Sequence, residues 1–237
     1  MNSASLRGYV VIGTQAEVDK AISDLVLHLG EVKTWINNNI PRTDRRVVMI
    51  NFITSICEYL NMASLIGNGH VSILALATRS VYEIHLKVRL VVRSEDELKR
   101  WMSEALTDKI QTLEGLLSLN TNRKMERERA QLRSEVDRLK NLADKYKLPE
   151  IKTPASAASM AADLGSTSEH KALFKMFSKL VHPSSYLINN YDNAAAQEMR
   201  AILQVHLQLY AWDALSRISG VFSVPKELMI VERRAVH

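Results

Sequence analysis

At 237 residues the chain is long enough to bury a substantial core, as one large domain or two small ones. Its 46% hydrophobic and 24% charged residues exclude disordered, collagen-like and disulfide-scaffold classes. The net charge of +5 is unevenly placed: residues 123–147 hold nine Lys/Arg against five Asp/Glu, leaving 22 basic and 21 acidic residues elsewhere. Such a basic element either meets nucleic acid or an acidic partner, or is a solvated, salt-bridge-laced face.

The one cysteine, Cys57, cannot close an intramolecular disulfide. It lies among Ile53, Ile56 and Leu60, which predicts a buried, unreactive thiol in a reducing compartment, the cytoplasm. Residues 1–12 lack a long apolar run behind a basic region and do not read as a signal peptide.

In chain order, Tyr9-Val10-Val11-Ile12 has some strand character, and Thr14 with Glu17 three residues later forms a capping-box pattern. Val18, Ile22, Leu25, Leu29, Val32 and Ile36 follow at helical spacing until Asn37-Asn38-Asn39 and Pro41. Thr43 is a cap for a second helix with Val47, Ile50, Ile53, Cys57, Leu60 and Ser64 on one stripe, stopped at Gly67-Asn68-Gly69. A third helix over 71–93 is apolar almost all round and should be the central spine. Its Arg79, Glu83, His85, Lys87 and Arg89 are too costly for hydrocarbon, so it reads as a buried helix rather than a membrane span.

Ser94 and Glu97 form a second capping box, launching a helix with Leu98, Trp101, Ala105, Leu106, Ile110, Leu113 and Leu117 inward. The charged helix over 121–146 carries Met125, Leu132, Val136, Leu139, Ala143 and Tyr146 as a narrow coiled-coil-like seam. A short connection at 119–122 predicts an antiparallel hairpin over 94–147. Pro154 suits the first turn of a small Ala-rich helix. Ser168 or Glu169 begins a helix through Leu173, Met176, Phe177, Leu180 and Val181, limited by Pro183. Asp192 can cap a last helix with Met199, Ile202, Val205, Leu209, Trp212 and Ile218 on its stripe, ending at Gly220. Beyond Pro225 a basic tail, 225–237, should be loosely held. No linker is stronger than 152–168, so the expectation is one all-α domain over 1–237, a bundle of seven to eight helices.

Gly-rich phosphate loops, a Gly-x-Ser-x-Gly elbow and a Cys-x-x-Cys pair are missing from the sequence. Glu83 and His85 project about 200° apart on a helix and share one ion poorly, so neither metal nor cofactor is expected. Two polar groups interrupt apolar context. Arg79 and Glu83 lie four residues apart on one helix face, either as an intrahelical ion pair or as part of a site. His182 ends a helix and is followed by Ser184 and Ser185. It either bonds the last carbonyls, with Ser184 capping the next turn, or faces Arg79 and Glu83 to form a cluster that moves a proton or holds an anion. Tyr82, His85, Tyr186 and His206 read as packing residues.

The Arg79-x-x-x-Glu83 helix, the charged hairpin ending Lys145-Tyr146-Lys147-Leu148-Pro149, and Ser178-x-x-x-His182-Pro183-Ser184 together resemble a prokaryotic helical family of unknown function. That family is similar to the HEPN superfamily of toxin-, defence- and RNA-cleavage-associated helical domains. The resemblance covers roughly 72–190. It implies a metal-independent ribonuclease in which His182 handles protons and an Arg steadies the phosphate. The sequence departs from the superfamily pattern: with six residues intervening, Lys175 rather than an Arg precedes His182, so Arg79 serves only if folding brings it near. On this reading His182, Arg79, Glu83 and Lys175 are catalytic candidates, Ser178, Ser184 and Ser185 give polar support, and Arg127, Arg133, Arg138 and Lys140 touch nucleic acid or a partner. The first expectation is nonetheless a protein-interaction or RNA-associated module of a prokaryotic defence or toxin-type system, whose hairpin docks a protein or a second copy of the chain; the ribonuclease is its alternative, and a small-ligand sensor using the same cluster is a third.

Overall fold

The computed structural model of the chain describes residues 7–66, 69–119 and 125–229, and its regular elements are all helical. Eight helices of seven residues or more are α1 (Gln15–Asn39), α2 (Asp44–Ile66), α3 (Val71–Val91), α4 (Glu95–Leu119), α5 (Glu126–Lys145), α6 (Ala157–Asp163), α7 (Thr167–Val181) and, after two short turns α8 (Ser185–Asn189) and α9 (Tyr191–Ala194), α10 (Gln197–Phe222). The fold class is therefore all-α, as the periodicity requires. Two compact units are formed, residues 93–156 and the remainder.

In the larger unit, Thr14 and Glu17 close the capping box, with the Thr14 amide donating to Glu17 Oε2 at 2.7 Å. All six predicted inward positions of α1, from Val18 to Ile36, are buried. Thr43 accepts from the Arg46 amide at 3.1 Å and starts α2. Here the inward stripe is rotated from the expected one. Met49, Ile53, Ile56 and Leu60 are enclosed, while Val47 is exposed and Ile50, Cys57 and Ser64 are half-buried. The cause is that α2 is apolar on several faces, so spacing alone does not choose among them. Desolvation of half-buried Cys57 pushes its thiol pKa up, which leaves it in its less nucleophilic form.

Helix α3 is the spine: Val71, Leu74, Ala75, Thr78, Val81, Tyr82 and Leu86 are all closed off from solvent, between α2, α7 and α10. Thr78 meets the Leu203 carbonyl at 3.3 Å and His85 meets Asp213 at 2.6 Å, so α3 and α10 run parallel. Against α7 the order inverts. Arg79 lies over Phe174, Tyr82 meets His170, and Arg89 reaches Ser166, which makes that pair antiparallel.

Several expectations are overturned. Tyr9-Val10-Val11-Ile12 is no strand; Tyr9 ends a 3-10 turn at Arg7–Tyr9, and the Gln208 side-chain amide pairs with both the N–H and the C=O of Val11, where a strand would have placed a neighbour. Pro154 stands three residues before α6, not in its first turn. Asp192 sits inside α9, and α10 begins only at Gln197. On α10, Ile202 is exposed and Met199, Val205 and Leu209 are half-buried, because Leu203, Gln204, Leu207, Gln208, Ala211 and Leu215 face the core instead. Two of those are glutamines, satisfied by Gln15 and by Val11, and a buried amide is invisible to an apolar pattern. The helix also runs past Gly220 to Phe222, where Ser223 adopts a left-handed φ of 52°. Lys226–Met229 form a 3-10 turn; the rest of the predicted tail, the stop at Gly67-Asn68 and the hairpin turn at 120–124 lie outside the described residues.

In the smaller unit, α4 and α5 pack as an antiparallel hairpin, with Arg129 donating to the Leu117 carbonyl near one end and Lys109 bonded to Glu135 further along. Val136 and Leu139 are the buried middle of the seam; Met125 and Tyr146 at its ends are exposed. Ala105 on α4 is also exposed, whereas Ser103 and Glu104 are buried. The return segment explains this: Ser103 donates to the Pro149 carbonyl, Thr107 to that of Ile151, and Glu104 accepts from the Ala155 amide. Polar ladders of this kind leave no periodic apolar signature.

One described helix segment, Asp44–Leu65, is apolar and long enough by composition to cross a membrane. Within it Met49, Ile53, Ile56 and Leu60 are fully enclosed, while Val47 and Leu65 are exposed.

Candidate functional site: Arg79, Glu83 and His182

The antiparallel contact of α3 with α7 sets Arg79 against the C-terminal end of α7. There Pro183 disfavours helical geometry at His182, which adopts φ −88°, ψ 154° and turns out of the helix while its amide still bonds the Ser178 carbonyl at 3.3 Å. The result is a three-part contact around one guanidinium. Arg79 Nε donates to Glu83 Oε1 at 2.9 Å, its Cζ stands 4.5 Å above the Phe174 ring, and Nη1 lies 3.4 Å from His182 Nε2.

Because arginine only donates, His182 Nε2 faces it as an acceptor, with the ring hydrogen on Nδ1. At 3.4 Å this bond is long and weak, so it yields readily to a better acceptor. The Arg79 and Glu83 side chains are 25% and 35% exposed, and His182 is exposed. An ion pair so open to water contributes less than about 1 kcal/mol to stability. What it does provide is direction: with Nε tied to Glu83 and one face on Phe174, the remaining guanidinium N–H groups point at a fixed, solvent-reached spot beside His182.

The other sequence candidates fall into three places. Ser184 caps α8, accepting from the Leu187 amide at 3.2 Å and donating to the Lys179 carbonyl at 2.7 Å, while Ser185 is exposed and Ser178 is half-buried one turn before His182. Lys175 does not reach the Arg79 cluster; it lines a separate groove with Lys179 and Tyr186. In the smaller unit, Arg133 pairs with Glu126, Arg138 with Glu135 and Lys140 with Glu114, while Arg127 is exposed. That face is laced with ion pairs, which lower its net field without abolishing it. Among the described residues no three His, Cys, Asp or Glu side chains gather as a metal would need.

A second polar group, missed by the sequence, is buried on the same spine. His85 Nε2 and Arg217 Nε both bond Asp213 Oδ2 at 2.6 Å, and His85 Nδ1 is buried with no partner among the described residues. Beside them Tyr82 meets His170 at 3.2 Å and Tyr210 donates to Glu169 at 2.8 Å. Burial lowers the pKa of His85, against the pull of Asp213. For Asp213, burial raises and the bonds from His85 and Arg217 lower; the bonds win and hold the carboxyl below its usual range. Desolvation and Glu169 push Tyr82 up to about 12. His85, Tyr82, His170 and Tyr210 are buried, Asp213 and Arg217 partly so, and Glu169 is exposed; the pairing among them suits packing more than substrate chemistry. The spacing of His85 three residues beyond Tyr82, and of Tyr210 beside Asp213, was the signal available; only pairing across helices gives it meaning.

Neither the curated proteins nor the solved structures yield a significant match to this chain. Residues 46–198, well over half of the sequence and the span that contains Arg79, Glu83 and His182, match a family of unknown function (DUF5677), and the chain belongs to that family.

Proposed function

We propose that the protein acts on RNA as a HEPN-like, metal-independent ribonuclease of a prokaryotic toxin or defence system, working in the cytoplasm with Arg79, Glu83 and His182 as its site. The observation that carries this reading is the 3.4 Å approach of Arg79 Nη1 to His182 Nε2 at a solvent-reached position, between residues 103 apart in sequence. Acid–base chemistry at a phosphate needs that pairing: a cation for the charge and an adjacent imidazole lone pair for the proton.

An entering phosphodiester displaces the weak Arg79–His182 bond. Arg79 then donates to the phosphoryl oxygens and steadies the charge that builds on them, while Glu83 keeps the guanidinium in place. His182 Nε2, freed, takes the proton from the ribose 2′-hydroxyl. The 2′-oxygen attacks phosphorus, the bond to the 5′-oxygen breaks, and that oxygen takes a proton from water while the imidazolium returns its own to solvent. The products are a 2′,3′-cyclic phosphate and a 5′-hydroxyl. On this reading Arg127, Arg133, Arg138 and Lys140 contribute salt-sensitive backbone attraction.

The test is cleavage of a labelled single-stranded RNA by the purified protein in excess chelator. Cleavage is expected, with His182→Ala slower by about 10²-fold or more; a parent that leaves RNA intact, or a variant as fast as the parent, would overturn the reading.

A second reading, a docking module, is favoured by the apolar side chains left open around the hairpin tip, with Leu116, Leu119 and Met125 each at least 42% exposed. It predicts that the protein self-associates or captures a protein partner through these residues. Replacing Leu116 and Leu119 by Glu should then shift the sedimentation mass to that of a single chain; a parent already at that mass removes the second-copy form of the reading.

A further inference from the structure

Beside the Arg79 cluster, α7 carries a groove of about 350 Å³ lined by Lys175, Met176 and Lys179, by Tyr186 of α8 and by Met199 of α10. Lys175, Lys179 and His182 follow one another at i, i+4 and i+7, so they form one stripe along α7 that continues directly into His182. Both lysines are exposed, and among the described residues neither has an acidic partner and no carboxylate lines the groove. Met176 and Met199, both half-buried, give it an apolar lining, and Tyr186 is 40% exposed.

Cations in a row along one helix, an apolar lining and an exposed aromatic residue match the parts of a nucleotide: phosphates for the lysines, a base for the ring. Four residues of helix, a rise of about 6 Å, separate Lys175 from Lys179, close to the spacing of successive phosphates in an extended strand. A base paired in a duplex keeps its faces stacked on its neighbours and cannot lie on Tyr186.

We propose that this groove is a subsite for single-stranded RNA, in which Lys175 and Lys179 hold the phosphates next to the scissile one and Tyr186 stacks the adjoining base. The assignment rests on the reading of Arg79 and His182 as the cleavage site. It turns Lys175 from a rival of Arg79 into a neighbour that sets where the strand lies.

Binding is read by fluorescence anisotropy with a labelled single-stranded 2′-O-methyl RNA, which has no 2′-hydroxyl to react, using the full chain and variants whose circular dichroism matches the parent. Lys175→Ala with Lys179→Ala should weaken binding at least tenfold and flatten the slope of log affinity against log salt by about 1.4. Tyr186→Ala should weaken it by about five- to 150-fold, the range for one stacked base, while Tyr186→Phe binds as the parent does. Lys20→Ala, far along the chain on α1, should bind unchanged, and duplex of the same sequence should compete poorly. Unchanged binding by the lysine pair and by Tyr186→Ala, a Tyr186→Phe loss as large as that of Tyr186→Ala, or equal competition by duplex would overturn the subsite. The two claims fail separately. Groove-dependent binding by a parent that cleaves nothing leaves the subsite standing and removes the chemistry; His182-dependent cleavage that is indifferent to the groove does the reverse.

Discussion

Arg79 occupies a position where the spine turns from fully buried to solvent-reached, and its three contacts each remove a different freedom. Glu83 fixes Nε, Phe174 fixes the plane, and His182 marks the direction of the free N–H groups. The His85–Asp213–Arg217 group, on the enclosed side of the same helix, has the opposite character. Its Asp213 carboxylate is held by His85 and Arg217, so its effect is on stability. The folded-state pKa of His85 lies below its ordinary 6.5, so the unfolded chain binds the proton more readily. Stability from this group is therefore full above about pH 6.5 and is lost as pH falls below it. His170, also lowered by burial, adds in the same direction. Asp213 is depressed as well, and its share is lost only below its ordinary 3.8. Urea unfolding of the parent should show stability falling from pH 7 to pH 5, and His85→Gln should flatten that fall; a parent whose stability rises on acidification contradicts the assignment. Sequence spacing placed Arg79 and Glu83 on one face. It had no means of finding Asp213, because its partner lies 128 positions away.

At the scale of elements, the site depends on how α7 ends. Pro183 forces His182 out of helical geometry, and Ser184 immediately caps α8, so the histidine is held between a stop and a start. Pro183→Ala relaxes that restriction and should lower RNA cleavage at least tenfold with a stability change within about 1 kcal/mol, measured by single-turnover cleavage and urea unfolding; unchanged cleavage would show that the helix end does not position His182. This element was legible from the sequence, since Pro, Ser and the α7 apolar positions are local signals. So was α1, whose capping box and single apolar stripe agree. Helices α2 and α10 were legible as helices but not in their facing. On α2 too many faces are apolar, and on α10 the buried Gln204 and Gln208 hide inside the polar half of the pattern. The Glu104 and Ser103 ladder to the return segment was similarly silent, because its partners are backbone groups.

For the whole molecule, sequence placed the basic excess on the hairpin, and the structure shows much of it neutralised by Glu114, Glu126 and Glu135. The unneutralised cations that matter to the proposal, Lys175 and Lys179, belong to the larger unit, on the same helix that ends at His182. A local count of charge therefore pointed to one element, whereas pairing within the fold leaves the open positive stripe on another. The central claim is that Arg79 and His182 act as one site, and a double-mutant cycle tests it most directly. Single-turnover cleavage of single-stranded RNA in chelator is measured for the parent, Arg79→Ala, His182→Ala and the double variant. The account predicts that each single change costs about 10²-fold or more and that the double variant is little slower than either. Losses that simply multiply, or cleavage that survives the loss of both residues, would contradict it.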